Sequence, residues 1–175
     1  MFITTRISTV KETSQKWKDT DMASKKITIA AGLFLIRKDG RFLVGHPTNH
    51  LPDFYSIPKG KVEKDELHLQ AAIRETFEET NIDVSKYSII HNFPPVEYVN
   101  KKKVLYPFVL FEEQNSIDFS QFDIKCNSFV PEEIGGFPEM DRFKWLTFEE
   151  GRTSVHETQI SCIDEIEKIY KKITK

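Results

Sequence analysis

The chain has 175 residues, of which 39% are hydrophobic and 30% are charged, and its formal net charge is −2. This length and composition predict one globular domain that buries a sizeable core. The slightly negative charge argues against a dedicated nucleic-acid-binding protein, because such domains are usually basic. No apolar run approaches the ~18 residues that a membrane-spanning helix needs, so we expect no membrane span.

Cysteine usage and the first residues of the chain bear on its setting and its domain boundaries. Cys126 and Cys162 have neither the number of a disulfide scaffold nor the spacing of a metal site, which favours a reduced, cytoplasmic setting. Residues 1–25 are polar and lack the apolar stretch of a secretory signal. We interpret residues 1–25 as a polar N-terminal extension and residues 26–175 as a single domain.

Residues 27–46 show the alternating apolar pattern of two β-strands. Asp39 and Gly40 lie between the two apolar runs, and Asp-Gly at this place predicts a β-hairpin. A proline-containing loop follows. Residues 54–58 then predict a short extended segment that ends before Lys59.

The pattern becomes helical over residues 67–80, where apolar residues recur every three or four positions. The predicted buried stripe consists of Leu69, Ala72, Ile73, Thr76 and Phe77. The opposite face is expected to carry Arg74, Glu75, Glu78 and Glu79. Asp65 or Glu66 would place negative charge at the helix start, where the helix dipole favours it. Asn81 is expected to end the helix in the left-handed conformation.

Strands return after this helix. Residues 87–93 predict one strand, and residues 96–99 are expected to pair with residues 104–111 across a lysine-rich turn. Residues 117–127 are weakly patterned and fit either a loop or an edge strand.

The C-terminal part predicts a last strand and a closing helix. The strand covers residues 143–146, and the helix covers about residues 157–173, opened by Thr147 or Ser154. Strands, one helix, more strands and a final helix predict a mixed sheet with flanking helices, in the α/β (α+β) class.

Three glutamates on the first helix form the most informative cluster. Glu75, Glu78 and Glu79 stand at i, i+3 and i+4, so their side chains project within an arc of about 100°. Three carboxylates this close repel one another unless a cation lies between them, and carboxylate oxygens together with substrate phosphates hold Mg²⁺. The cluster therefore predicts a site for Mg²⁺, or alternatively Mn²⁺. Arg74 is expected to hold Glu78 and to reach Glu66, fixing their orientation.

The spacing of these residues resembles the signature of the Nudix hydrolase family, G-x5-E-x7-R-E-U-x-E-E-x-G-U, in which U is aliphatic. The matching residues are Gly60, Glu66, Arg74, Glu75, Glu78, Glu79 and Ile82. The sequence departs at Thr76, where an aliphatic residue is usual, and at Asn81, where glycine is usual. The resemblance covers about residues 26–173 and implies an αβα sandwich with a mixed sheet.

This resemblance also implies a reaction, the attack of water on phosphorus in a nucleoside diphosphate linked to another group X. Glu75, Glu78 and Glu79 would hold the metal ions, with Gly60 offering backbone groups beside them, and Glu66 and Arg74 would complete the catalytic set. The general base stays open among the carboxylates. The candidates for a further acidic ligand are Glu132, Glu133 and Glu139.

The substrate is less defined than the reaction. Pro58-Lys59-Gly60 resembles the approach to the signature in hydrolases of dinucleoside polyphosphates, and Lys59 and Lys61 could contact the additional phosphates. Tyr55 is a candidate for stacking on a base, as are Phe54 and Tyr98.

We expect a dinucleoside polyphosphate or a nucleoside triphosphate as substrate. The alternatives are a nucleotide sugar, an inositol pyrophosphate, an RNA 5′ end, or a non-catalytic module that senses a nucleotide. The turn lysines at residues 101–103 are interpreted as solubilising. The five histidines have no predicted metal role, and Cys162 is expected to be structural.

Overall fold

The computed structural model describes residues 27–89 and 91–175, so the predicted extension at residues 1–25 lies outside the described part of the chain. The strands are β1 (Thr28–Ile36), β2 (Phe42–Pro47), β3 (Lys59–Lys61), β4 (His91–Asn92), β5 (Val96–Glu97), β6 (Lys103–Phe111) and β7 (Met140–Leu146). The helices are α1 (His68–Thr80), α2 (Phe148–Ser154) and α3 (Glu157–Ile173). Within the described residues, no helix has the length and apolarity that crossing a bilayer requires.

Strand β1 lies at the centre of a mixed sheet with the order β4-β6-β1-β2-β7. It pairs in parallel with β6 along its whole length, from Thr28 opposite Lys103 to Ile36 opposite Phe111. It pairs antiparallel with β2 and β3, and β2 continues antiparallel to β7. Gly40 adopts a φ of 78° in the predicted hairpin turn, a left-handed conformation that glycine takes without steric cost.

Helices cover both faces of this sheet because β1 alternates its side chains between two apolar layers. Leu33 and Leu35 belong to the layer that contains α1, together with Ala71 and Ala72. Phe34 and Ile36 face the other way and belong to the layer that includes side chains from α2 and α3. The predicted αβα sandwich is therefore confirmed.

Helix α1 has the predicted extent but a different buried face. Phe77, predicted to be buried, is 46% exposed, whereas Glu75 and Glu79, predicted on the outer face, are 8% and 4% exposed. Ala72 and Thr76 share the buried face with the two glutamates. The apolar periodicity predicted the wrong buried face of α1 because carboxylates are assumed to face outward. Here neighbouring hydrogen-bond donors make the burial of Glu75 and Glu79 possible.

The ends of α1 also differ in part from expectation. No acidic residue lies in its first turn, and Leu67 begins the helix while its backbone N–H donates to the Gln70 side chain. Asn81 ends the helix in the left-handed conformation with φ 63°, as predicted. The Asn81 amide also donates to the Asp123 carbonyl and accepts from the Asn127 amide, contacts that a glycine could not make.

Several predicted boundaries need correction. The strand expected at residues 87–93 is limited, within the described residues, to β4, while β5 pairs with β6 as predicted. Residues 117–127 form a loop that contains a 3₁₀ turn at Phe119–Gln121. The closing helix has the predicted extent, since α3 covers Glu157–Ile173, but an additional helix α2 precedes it, and Val155 between the two pairs with Tyr55. Thr147 caps α2 and His156 caps α3.

Candidate active site

Gly60 and Glu75 form the tightest approach in the site. Strand β3 runs directly beside α1, and a β-carbon at residue 60 would lie 2.1 Å from either carboxylate oxygen of Glu75. Contacts this short do not occur between real atoms, so glycine is required here by space. Gly60 was predicted to offer backbone groups beside the metal ligands; its position within β3 adds a requirement for space, because the Glu75 carboxylate lies where a side chain would be.

Arg74 uses each of its guanidinium nitrogens on the surrounding groups. Nε and Nη2 donate to the two carboxylate oxygens of Glu66 at 2.9 and 3.0 Å. Nη1 donates to Glu75 Oε1 at 2.7 Å and to Glu78 Oε2 at 3.0 Å. Nη2 also donates to the backbone carbonyl of Lys61 at 3.0 Å. Five N–H groups meet five acceptors, so one planar guanidinium orients three carboxylates and joins α1 to β3.

Glu79 is the most deeply buried of the three clustered glutamates. Its Oε2 accepts the backbone N–H of Lys59 at 2.9 Å. Burial raises the pKa of Glu79 to about 8, and the charges of Glu75 and Glu139 act in the same direction, against the charge and the amide of Lys59. Burial likewise raises the pKa of Glu75, although Arg74 opposes the shift. The fold therefore holds carboxylates where their ionised form is disfavoured unless further positive charge arrives.

A cavity of about 300 Å³ opens beside Glu79. Its lining is Pro47, His50, Phe54, Ser56, Lys59, Glu79, Tyr98, Lys103, Glu139, Met140 and His156. Acidic groups, two lysines and aromatic rings therefore share one concave surface, the kind of surface that takes a small molecule.

Of the three acidic residues proposed outside the signature, only Glu139 lines this cavity. It directly precedes β7, and its backbone carbonyl accepts the N–H of Thr48 from the loop after β2. Glu132 and Glu133 lie exposed on a separate 3₁₀ turn and do not line it. Of these three, Glu139 is therefore the one that shares the cavity with Glu79 and whose charge acts on Glu75 and Glu79.

Only some of the residues that were predicted to contact substrate line the cavity. Lys59 lines the cavity, whereas Lys61 is exposed and contributes its backbone carbonyl to Arg74. The prediction for Tyr55 is corrected, because Tyr55 is 2% exposed and packs in the core with its ring edge against His46. Phe54, the neighbouring residue along the chain, lines the cavity instead.

Lys103 and His156 also line the cavity, so Lys103 is not one of the merely solubilising turn lysines that the sequence predicted, and His156 is a cavity residue that the sequence did not indicate. Lys103 begins β6, and its Nζ lies 5.2 Å from the centre of the Tyr98 ring. Burial lowers the pKa of Lys103 to about 8, aided by the nearby charge of Lys59 and opposed by Glu79 and Glu75. A lysine buried beside another lysine is a signal for an anion site, but burial is not readable from a run of three lysines.

The donor chemistry of the cluster suits a hard divalent cation. Its side chains offer carboxylate oxygens only, and such a cation would favour the ionised form that burial of Glu75 and Glu79 disfavours. In residues 27–89 and 91–175, no three acidic, histidine or cysteine side chains are grouped closely enough to hold an ion as they stand. Glu75 and Glu78 instead turn toward Arg74. The residues fit a metal, and their role as its ligands stays a prediction.

Comparison with known protein families shows to which family this chain belongs. The model of the NUDIX domain matches residues 26–165. The chain belongs to the Nudix family. Nudix proteins generally use divalent metal ions, and the chain is a Nudix-type pyrophosphohydrolase.

Individual relatives agree with the Nudix assignment. An 8-oxo-dGTP diphosphatase from Proteus vulgaris is 36% identical over 78 residues, which are 42% of this chain and 70% of that protein. The structure of an Ap4A hydrolase from C. elegans matches with a TM-score of 0.60 at 24% identity, over 82% of this chain and 97% of that one. A MutT protein from Methanosarcina mazei Go1 matches with a TM-score of 0.61 at 18% identity, over 86% and 99%. The two structures show that the Nudix fold is shared.

Proposed function

We propose that this Nudix hydrolase cleaves a phosphoanhydride bond in a nucleoside diphosphate linked to a further group, with a dinucleoside polyphosphate or a nucleoside triphosphate as substrate. The observation that carries the proposal is the cavity in which Glu79 and Glu139 lie together with Lys59 and Lys103. Two lysines offer charge for several phosphates, and the carboxylates lie where the reacting phosphorus would be bound.

The cofactor in this proposal is Mg²⁺, with Mn²⁺ as the alternative, held by Glu75, Glu78 and Glu79 beside Gly60. When bound, the ion supplies neutralisation of phosphate charge and lowers the pKa of water. Arg74 contributes by holding Glu75 and Glu78 in place, and Glu66 holds Arg74 in turn.

Among the chain's own groups, the lysines bind and orient the polyphosphate while a carboxylate takes the proton of the attacking water. Glu79 and Glu139 are the two carboxylates that line the cavity, so the general base is one of them. Tyr98 and Phe54 offer apolar ring surface on which a base can stack.

The choice among phosphoanhydrides rests on the cavity and on one relative. The relative from Proteus vulgaris is named for 8-oxo-dGTP, a nucleoside triphosphate. This name supports nucleoside triphosphates as leading candidates together with dinucleoside polyphosphates. Nucleotide sugars, inositol pyrophosphates and RNA 5′ ends are the alternatives within the class. The predicted cytoplasmic setting, the absence of a nucleic-acid partner and the domain boundary at residue 26 also stay predictions.

The test is a substrate panel incubated with Mg²⁺, with Mn²⁺ and with a chelator, with products identified by chromatography. We expect turnover of a dinucleoside polyphosphate or a nucleoside triphosphate that the chelator abolishes. Glu78→Gln should lower kcat by about 100-fold or more, whereas Glu133→Gln, which changes an exposed glutamate outside the cavity, should not. Tight nucleotide binding without turnover of any panel member would identify a sensor instead.

A further inference from the structure

His156 caps the N-terminus of α3 and also lines the cavity. Its Nδ1 accepts the backbone N–H of Thr158 at 3.2 Å, the bond that caps the helix. The Thr158 hydroxyl lies 2.9 Å from the same nitrogen. Nδ1 is therefore occupied as an acceptor.

This cap decides where the proton of the imidazole lies. A neutral imidazole has one N–H donor and one acceptor nitrogen, so acceptance at Nδ1 places the hydrogen on Nε2. Within the described residues no hydrogen-bond partner of Nε2 is found, and no buried side-chain nitrogen or oxygen there is left unpaired. Nε2–H is therefore an accessible donor on a ring of the cavity wall.

The surroundings of His156 are aromatic and cationic. Its ring centre lies 4.7 Å from that of Tyr98 and 6.4 Å from that of Phe54, whose ring is nearly perpendicular to the imidazole. Burial lowers the pKa of His156, and Lys59 and Lys103 act in the same direction, against Glu157. The helix cap and the surroundings both favour the neutral ring.

We propose that His156 reads the nucleobase of the substrate, donating Nε2–H to a ring nitrogen or carbonyl oxygen of the base while Tyr98 and Phe54 contact its face. The proposal rests on the proposed function for the nature of the ligand. It goes further by assigning the base to the α3 side of the cavity and specificity to one side chain.

The positions of the charged and neutral donors within the cavity favour binding of a base, rather than a phosphate, at His156. A phosphate gains most from a cation, and Lys59 and Lys103 already supply two. A neutral donor flanked by two aromatic rings instead matches a flat heterocycle that carries acceptors on its edge. A site built around a donor also discriminates against ligands that leave it unpaired.

Binding of non-hydrolysable fragments tests the proposal separately from catalysis. The probes are AMP and GMP, compared with ribose 5-phosphate, which lacks the base. We expect the wild-type protein to prefer at least one nucleotide over ribose 5-phosphate by about tenfold or more, and His156→Asn to reduce that preference to about twofold. Asparagine keeps the helix cap through its side-chain oxygen, so the fold should remain intact.

A matched control and a direct observation complete the test. Thr147→Asn changes the equivalent cap of α2, outside the cavity, and should leave the base preference unchanged. Nitrogen NMR of His156 should show the hydrogen on Nε2 and a shift of that signal when AMP or GMP binds.

A base preference that survives in His156→Asn, or a hydrogen on Nδ1, would overturn the proposal. If hydrolysis is absent while His156→Asn still removes the base preference, the proposed function fails and the assignment of His156 stands.

Discussion

Gly60 and Glu75 approach so closely that a β-carbon on residue 60 would lie 2.0 Å from the carboxylate carbon of Glu75. The pair joins β3 to α1, so the place of the carboxylate depends on the absence of a side chain on the neighbouring strand. The consequence is testable with the smallest possible change.

Gly60→Ala should displace the Glu75 carboxylate and lower kcat by about 100-fold, because a misplacement of about 1 Å can cost that factor. Steady-state kinetics with the best substrate of the panel measures the effect, and circular dichroism checks that the fold is retained.

A matched control for this change exists on the exposed turn near Glu132. A β-carbon on Gly136 would lie 2.9 Å from a Glu132 carboxylate oxygen, outside the cavity, and Gly136 has a φ of 60°. Gly136→Ala should cost about 1 kcal/mol or more in stability through this φ and leave kcat unchanged. Equal kcat losses in both variants would show that the Gly60–Glu75 approach is not special.

Arg74→Lys tests whether turnover depends on the planar guanidinium of Arg74 or only on its positive charge. Hydrogen bonds to Glu66 and Glu75 hold the pKa of Arg74 above its usual range, so arginine and lysine both carry one positive charge at this position. An ammonium cannot reach Glu66, Glu75 and Glu78 together in fixed directions. We expect kcat to fall by about tenfold to 100-fold, the range found when groups that orient metal ligands are lost.

Arg152 provides the control for Arg74, because it also pairs with two carboxylates, Asp164 and Glu167, and none of these three side chains lines the cavity. Arg152→Lys should change thermal stability slightly and leave kcat unchanged. A kcat for Arg74→Lys that matches the wild type would mean that charge alone suffices.

Glu139→Gln, compared with the same change at Glu132 and Glu133, tests which of the three acidic residues outside the signature contributes to turnover. Glu139 lines the cavity and raises the pKa of Glu75 and Glu79 through its charge, whereas Glu132 and Glu133 do not line it. We expect kcat to fall by about tenfold or more for Glu139→Gln. Glu132→Gln and Glu133→Gln should stay within about twofold of wild type in the same assay. A larger loss for either of them would move the assignment away from Glu139.

Glu79→Gln should remove activity and at the same time stabilise the metal-free protein above neutral pH. Burial raises the pKa of Glu79 to about 8, from its ordinary value of 4.5. Between these two pH values the folded state holds a proton that the unfolded state has lost, so wild-type stability falls as pH rises through this window. Glutamine does not ionise and escapes this loss.

Thermal unfolding in the presence of a chelator measures the difference. The Tm of Glu79→Gln minus that of the wild type should grow from about pH 5 to about pH 8, by roughly 3 °C for each kcal/mol at this chain length. Glu133→Gln should show no such trend. A Glu79→Gln protein that is less stable than wild type at pH 8 would contradict the role of burial.

The parts of the fold that local patterns encode were predicted well. The hairpin follows from Asp39-Gly40, the extent of α1 from its periodicity, and its end from Asn81, since each signal lies within a few residues of the structure it specifies. The register of Arg74 with Glu66 and Glu78 is equally local, because both partners lie within eight positions along the chain.

Features that depend on distant segments could not be predicted in this way. Glu79 is buried because β3 supplies the Lys59 amide to it, and no hydrophobicity scale assigns a glutamate to a core without knowledge of that partner. The cavity joins three separate parts of the chain, which contribute His50, the hairpin residues Tyr98 and Lys103, and His156. Of the three aromatic candidates for stacking, Phe54 and Tyr98 line the cavity whereas Tyr55 is buried in the core, a division that depends on contacts with distant segments.

Gln159 in α3 is fully buried and bonds the backbone N–H of Ile57 and the hydroxyl of Ser56. Through this side chain the last helix is fastened to the segment that leads into Lys59. During synthesis the chain emerges from its N-terminal end, so the glutamates of α1 are made long before the wall that holds His156. We therefore expect the nascent protein to acquire its complete cavity only when α3 has been translated and has docked against this segment.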